Sequence, residues 1–509
     1  MRCLRPPISF TARSFRATFL LLLAALYGCG ESVSGGDQTI LNDAVLINGA
    51  TLRVNNVTGS DSGDGIIEPF RTLQYALDQL RPGDVLLVET SGLSYSTTAV
   101  IGEERDENDV VTRILQGFVL SNSGSPSSPI TITGDAINKP VIDQQQSGSV
   151  PGVAVLGLLL DCTSHVVVEN LEIRNTNEAG ISSSTTGACE TSNVTIRNNE
   201  IHNVTGEKYV GGVRMMGVSD LHVADNRISD IFSNKTPEEK VLYNPGRGVS
   251  YVLVENNQFE NVETGVAINA QGLGNITYTL NAEEVVSGVQ VSHNLFNGVD
   301  RGIQLDAHIS DDSSTDELLT GKFSDIDIYG NVFDEGDSAL VTSLGSSFHQ
   351  SSDICVFNNT IVDALSTNFV IDGVIALEFF NNIHHSPAAE VLVTQSPSNA
   401  ALQNTIDYSD HNLFWNAGSL SWRLDSGGPV DMTYTGLANW QANIALATNP
   451  DLLSLVQDPL FSDYINADYQ LAAASPALSS GRFGMSRGAD FEFPDLSATA
   501  GNACMQRVL

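Results

Sequence analysis

Three carboxylates return at one interval. Glu263, Asp300 and Asp337 lie 37 and 37 residues apart, each just ahead of a short run, "TGVAIN", "RGIQLD" or "SALVTS". Six residues beyond them stand Asn269, Asp306 and Ser343. Like charges stacked one above another repel unless a cation or a proton neutralises them, and hard oxygen donors of this kind suit Ca2+. Glu263, Asp300, Asp306 and Asp337 are therefore the candidate Ca2+ ligands; the bland alternative is a set of turn acids splayed into water. Around them lie groups that bind a substrate or move protons. Asn269, Gln304 and Arg301 are candidate substrate contacts, and Lys240, Arg247, Arg214, Tyr243 and His308 are candidate acid–base groups. Such a set fits β-elimination from a uronate-containing polysaccharide, where the substrate carboxylate is neutralised, a base takes the C5 proton and an acid protonates the leaving oxygen. The alternatives are hydrolysis or epimerisation on the same framework, with two carboxylates drawn from Asp300, Asp306 and Asp337 serving the hydrolase, and a non-catalytic surface protein that binds glycan or only extends from the membrane.

Acids 37 residues apart meet only if the chain coils back on itself, and its punctuation says that it does. "NNEIHN", "DNRISD", "NNQFEN", "HNLFNG", "GNVFDE" and "NNTIVD" restate one phrase. Its markers, Asn170, Asn199, Asn226, Asn257, Asn294, Asn331, Asn359, Asn382 and Asn412, are separated by 29, 27, 31, 37, 37, 28, 23 and 30 residues. A period in this range indicates a solenoid. Within each unit, runs such as "SYVLVENN" alternate apolar and polar residues, the strand period. An apolar column follows the markers at Ile201, Ile228, Phe259, Phe296, Phe333, Ile361, Ile383 and Phe414, and a third strand follows in most units. Three short strands per unit predict an all-β right-handed parallel β-helix of about nine to eleven coils, with Asn in αL geometry at the turn and its amide bonded to the Asn of the next rung. The surplus of the long units, 233–248, 271–286 and 308–323, predicts loops on both sides of one strand column. They border a cleft whose rungs advance ~4.8 Å.

An open solenoid needs caps. Residues 68–84 predict an amphipathic lid with Phe70, Leu73, Ala76, Leu77 and Leu80 on one face. The expected organisation is a signal peptide over 1–28, a tether over 29–49, cap and first coils over 50–130, the β-helix over 131–445 and a closing segment over 446–509. Four arginines precede the apolar run "FLLLLAALY" and Gly28-Cys29, the layout of an export signal. The run is too short to span a bilayer. "LYGC" resembles the bacterial lipobox, which implies lipidation at Cys29 and an envelope-anchored or secreted monomer, with the membrane met only through the lipid. Export permits disulfides, and Cys162 and Cys189, at similar corners of adjacent units, are the expected pair. The net charge of −36 repels phosphate backbones and excludes nucleic acid as a partner.

The stretches "VTGSDSGDGIIEPFRTLQYALDQLRPGDVLLVE", "GSPSSPITITGD", the Asn-bearing coils and the "DPLF…SPAL" tail together resemble exported β-helix proteins of the pectate-lyase-like superfamily. That resemblance implies the fold and an acidic polysaccharide as partner. It does not choose a reaction, because one fold hosts several. The sequence lacks the "DPHE", "GHG", "RIK", "WiDH", "RxPxxR" and "RHG" signatures of the superfamily's main enzymes.

Overall fold

The structure, a computed structural model, describes residues 49–505 apart from 106–109, 146–150, 184–190, 207–209, 216–217, 234–241, 246–249, 270–284, 307–321, 344–351, 373, 375, 387–389, 396–405, 416–419, 425–431, 444–450 and 490–503. It is a right-handed parallel β-helix. Twelve parallel strands, from Thr51–Val54 to Ile406–Asp410, stack in chain order as face 1. The strands after each marker form face 2, and those after the next corner form face 3. Faces 2 and 3 join where Gln258–Asn269 and Leu295–Asp306 run through the corner without a break. The twelve rungs exceed the expected count because three face-1 strands, Thr51–Val54, Val85–Val88 and Ile130–Thr133, precede the first marker.

Left-handed residues explain the phrase. Asn198, Asp225, Asn256, His293, Gly330, Asn358 and Asn381 have φ between +53° and +67°, and so do Asn203, Asp230, Asn261, Gly298, Glu335 and Asp363, five residues on, at +50° to +60°. Each six-residue phrase is thus one short strand bracketed by two left-handed turns, which Asn, Asp and Gly adopt at least cost. A third column sits five residues earlier, at Asn193, Asp220, Tyr251, Gly288, Asp325 and Asp353. The αL residue is the one before the marker, not the marker itself, as the sequence had suggested.

The marker builds the ladder. Asn331 Oδ1 accepts from both the backbone N–H and the Nδ2 of Asn294, each at 3.0 Å, while Asn294 Nδ2 also donates to Val254 O at 3.0 Å. The same bonds recur through Asn199, Asn226, Asn257, Asn359 and Asn382. One marker and one column residue were misplaced. Asn170 is an αL residue, and Leu171 holds the ladder position, donating its N–H to Asn199 Oδ1. Ile383 likewise faces outward against Leu413 and Ala477, and the inward member of its rung is His384, in register with Ile361 and Phe414.

Inside, Phe259, Phe296 and Phe333 stack with ring centroids 4.9 and 4.7 Å apart. Face 3 passes close over that column, so a Cβ at Gly302 would fall 2.3 Å from Phe333 Cε1. At the N-terminal end the helix is Leu73–Gln79, shorter than 68–84, because Pro69 and Phe70 run extended and pair with the first strand. Phe70, Leu73, Ala76, Leu77 and Leu80 are all buried against the first coils. At the other end, Asn412 donates to Asp451 Oδ1 and Ser454 Oγ, and Trp440 Nε1 donates to Asp451 Oδ2, which closes the ladder. The chain then runs back along the outside of the coils. Tyr469 and Tyr464 donate to Asp334 and Asp363 at 2.6 and 2.5 Å, and Arg482 lies 3.7 Å over the Tyr408 ring and pairs with Glu378 at 3.0 Å. A disulfide joins Cys355 to Cys504 across 149 residues, a bond the sequence did not announce. Cys162 is also disulfide-bonded, but Cys189, its expected partner, lies outside the described residues.

Two outcomes test these bonds. Asn294→Ala strands the amide donors of Asn257 and bares Val254 O. At ~1–3 kcal/mol for each buried group left unsatisfied, urea unfolding should show a loss of about 2–4 kcal/mol. Cys355→Ser releases the return segment, and thermal unfolding should record a loss of ~2–4 kcal/mol, matched by reducing the wild type with dithiothreitol.

Candidate functional site

The corner between faces 2 and 3 carries the carboxylates. Val262 pairs with Val299, Thr264 with Arg301 and Arg301 with Ser338, so Glu263, Asp300 and Asp337 occupy successive rungs of one column. The interval of 37 residues is one turn of the solenoid. Asp300 and Asp337 are exposed and Glu263 is half-buried. Partial burial, then the charge of Asp337, push the Asp300 carboxyl above its usual range, while Arg301 pulls it back. A carboxyl that keeps its proton longer, with a second carboxyl beside it, is placed to act as a proton donor.

The neighbouring outward positions are fixed by the same register. Asn269 pairs with Asp306 and Asp306 with Ser343, so the backbone stacks them as expected; the side chains of all three lie outside the described ones. Gln304 sits between Ala267 and Val341 on face 3, mostly buried, and its Oε1 accepts from Arg301 Nη1 at 3.3 Å. Arg301 and Gln304 therefore hold one another beside the Asp300–Asp337 step. Tyr243 pairs with Arg214 on one side and Ala267 on the other, which puts its backbone on the same face, and nothing is described of its ring. Lys240, Arg247 and His308 lie outside the described residues. By chain connectivity 234–241 enters face 3, whereas 270–284 and 307–321 leave it. The loops expected over 233–248, 271–286 and 308–323 lie mostly outside the described residues.

Arg214 departs from the expectation of an open, proton-moving group. It points away from the core, yet only 3% of it is exposed. Its Nη1 donates to Glu178, whose other oxygen pairs with Arg113. Glu178 is wholly buried, and a charge in that position persists only when paired. The two guanidiniums neutralise it, so Arg214 serves as a buried counter-ion. Sequence reading missed Glu178, although "EAGIS" repeats the pattern of "ETGVA" and "DRGIQ": an acid, one residue, a glycine, a β-branched residue. Gly180, Gly265 and Gly302 all press against the Ile/Phe column, which puts Glu178 at the same kind of corner as Glu263 and Asp300. The fixed interval of 37 hid it, since earlier coils are shorter.

Among the described residues no three acidic, His or Cys side chains come close enough to hold a metal ion. Asp306, one of the expected Ca2+ ligands, has no described side chain. The chemistry visible at the column is that of carboxyls on adjacent rungs, close enough that the Asp337 charge acts on Asp300. A small void lined by Phe296, Phe333 and Ile361 also touches Asp334 and Ser338.

No curated protein matches the chain in sequence. Solved structures similar to it include a hyperthermoactive exopolygalacturonase from Thermotoga maritima, 12% identical over 70% of this chain and 83% of that one, TM-score 0.40. An alginate lyase from Paenibacillus sp. is 16% identical over 74% and 99%, TM-score 0.42. Pectate lyase Pel9A is 14% identical over 85% and 91%, TM-score 0.38. The family model for the right-handed beta helix region matches residues 150–310. That span includes the coils of Arg214, Glu263 and Asp300, and the chain carries in it a right-handed β-helix region.

Proposed function

We propose that the chain cleaves glycosidic bonds in an extended polysaccharide lying along face 3, with Asp300 as proton donor and Asp337 as its ionised partner. The observation that supports this reading is the Asp300–Asp337 step: two exposed carboxyls on adjacent rungs, one of them with its proton held by burial and by its neighbour's charge. Rungs ~4.8 Å apart match the advance of a sugar chain. Arg301 and Gln304 orient the substrate from the next positions of the strand. Export, with Cys29 lipidated, belongs to the same reading.

A second reading, Ca2+-assisted β-elimination from a uronate polymer, is favoured by the stacking of three acids, Glu263, Asp300 and Asp337, which a divalent cation would relieve. Asp306 would complete the oxygen set, and the cation would neutralise the substrate carboxylate.

The two readings separate in one assay. Incubation with alginate, polygalacturonate, chondroitin sulfate and neutral glycans, with and without EDTA, is followed for new reducing ends and for absorbance of the unsaturated uronate. Reducing ends without that absorbance, insensitive to EDTA, are expected; EDTA-sensitive absorbance would move the assignment to the lyase, and no product from any polymer removes both. Asp300→Asn should lower kcat by about 10²–10⁴ with unchanged thermal stability, since the side chain is exposed. The pH profile adds a signed test. An acid catalyst works below its pKa, so activity falls as pH rises through the elevated Asp300 value. Asp337→Asn removes the neighbouring charge, and any residual activity should lose its alkaline limb at lower pH than the wild type.

A further inference from the structure

We propose that the C-terminal coils are an acid-opened end of the solenoid, with protonation of His384 inside the core as the trigger. His384 is 1% exposed and occupies the inward column otherwise filled by Ile and Phe. Its Nδ1 lies 2.8 Å from Asn368 Nδ2, and its Nε2 has no partner, nor has Asn368 Oδ1. Aromatic rings make up the surroundings: Phe369 at 5.5 Å, Phe379 at 5.6 Å and Phe414, stacked at 5.0 Å.

The elements packed around His384 present apolar and amide groups to it. The strand Thr367–Asp372 contributes Asn368 and Phe369, Leu377–Phe380 contributes Phe379, Thr360–Val362 contributes Ile361 and Leu413–Trp415 contributes Phe414. Glu378 and His385, the titratable side chains described on these strands, turn outward to Arg482 and Tyr464. Asp363, in the turn after Thr360–Val362, is bonded to Tyr464 outside. Asp410 and Asp451 belong to the terminal cap, where they hold Leu453 N and Trp440 Nε1. Among the described residues no charge reaches the ring, and burial lowers the imidazole pKa to about 3. An imidazolium here would carry two N–H donors with one neighbouring amide to accept, and the stacked Phe rings recover only part of the lost hydration.

The consequence is directional. Protonation is favoured in the opened coil, where the ring titrates near 6.5, and resisted in the closed one. Closure is thus fully supported above about pH 6.5 and weakens as pH falls toward about 3, the opening constant rising ~10-fold per pH unit. The strain lands on a continuous pile, His384–Phe414–Trp422–Trp440, whose last member donates to Asp451 at the ladder's end. The end coils open ahead of the rest because each coil pairs its strands only with its neighbours, while the return segment bonds outward side chains of earlier coils.

All three tryptophans of the chain, Trp415, Trp422 and Trp440, lie in this end, so tryptophan emission reads these coils and far-ultraviolet circular dichroism reads the whole solenoid. In the full chain taken from pH 7 to 3.5, emission should shift red before the dichroism falls. His384→Phe, which extends the Phe column, should move the emission midpoint at least one pH unit lower and leave the dichroism midpoint in place. Should the Phe variant not fold, His384→Ile, the residue type of the preceding rung, serves the same comparison. An emission midpoint unchanged by removal of the imidazole, or coincident with the dichroism in the wild type, overturns the proposal.

Discussion

The interaction on which the rest depends is the inward bond between asparagines on successive coils. Between faces 1 and 2 the chain reverses direction within two residues, and strand pairing cannot continue through so tight a corner. Backbone groups such as Val254 O are left facing the interior, where no water reaches them. Asn294 supplies both what is missing and what is in excess: its amide nitrogen bonds Val254 O and Asn331 Oδ1, and its own carbonyl accepts from Asn257. A leucine fits the space, as Leu171 shows at the head of the ladder, but only because the ladder has no earlier member there to satisfy. At the foot, the acceptor role passes to Asp451 and Ser454.

Once that corner is pinned, register follows throughout a coil, and register is what makes a site. A slip of one residue would carry every side chain of a strand to the other surface. Because none occurs between Gln258–Asn269 and Leu295–Asp306, paired over nearly their full length, two acids far apart in the chain become neighbours at one corner. Partial burial first, and the neighbour's charge second, raise the pKa of Asp300. The same logic buries Glu178 between Arg113 and Arg214: a corner acid in a shorter coil, matched by cations from the adjacent strands, becomes structural.

Much of this was legible in the residues. The two-residue alternation and the restated Asn phrase carry the coil, since strand period and turn preference are local properties of the backbone. The 37-residue interval was sufficient to align Glu263, Asp300 and Asp337, and the apolar face of the N-terminal lid could be read from its spacing. Local reading failed where neighbouring positions differ by one step. Asn170 and Leu171 compete for the same place, as do Ile383 and His384, and a leucine in a ladder or a histidine in a core contradicts ordinary preference. Asn368 and the absence of any nearby charge among the described residues make the second arrangement tolerable near neutral pH.

The sequence by itself determined the repeating unit, its turn residues and the alignment of acids within units of equal length, because those depend on contacts one coil apart at a constant interval. Only the tertiary structure decided which charges face solvent and which are sealed. Arg214 stands in register with Gln304, three residues beyond the rung of Arg301, yet Arg214 is buried against Glu178 while Arg301 is half-exposed beside Gln304. The return of the last segment along the coils, with Cys504 brought to Cys355, was equally unreadable. Long-range closure reflects the packing of surfaces that share no period, and such complementarity leaves no mark on local spacing.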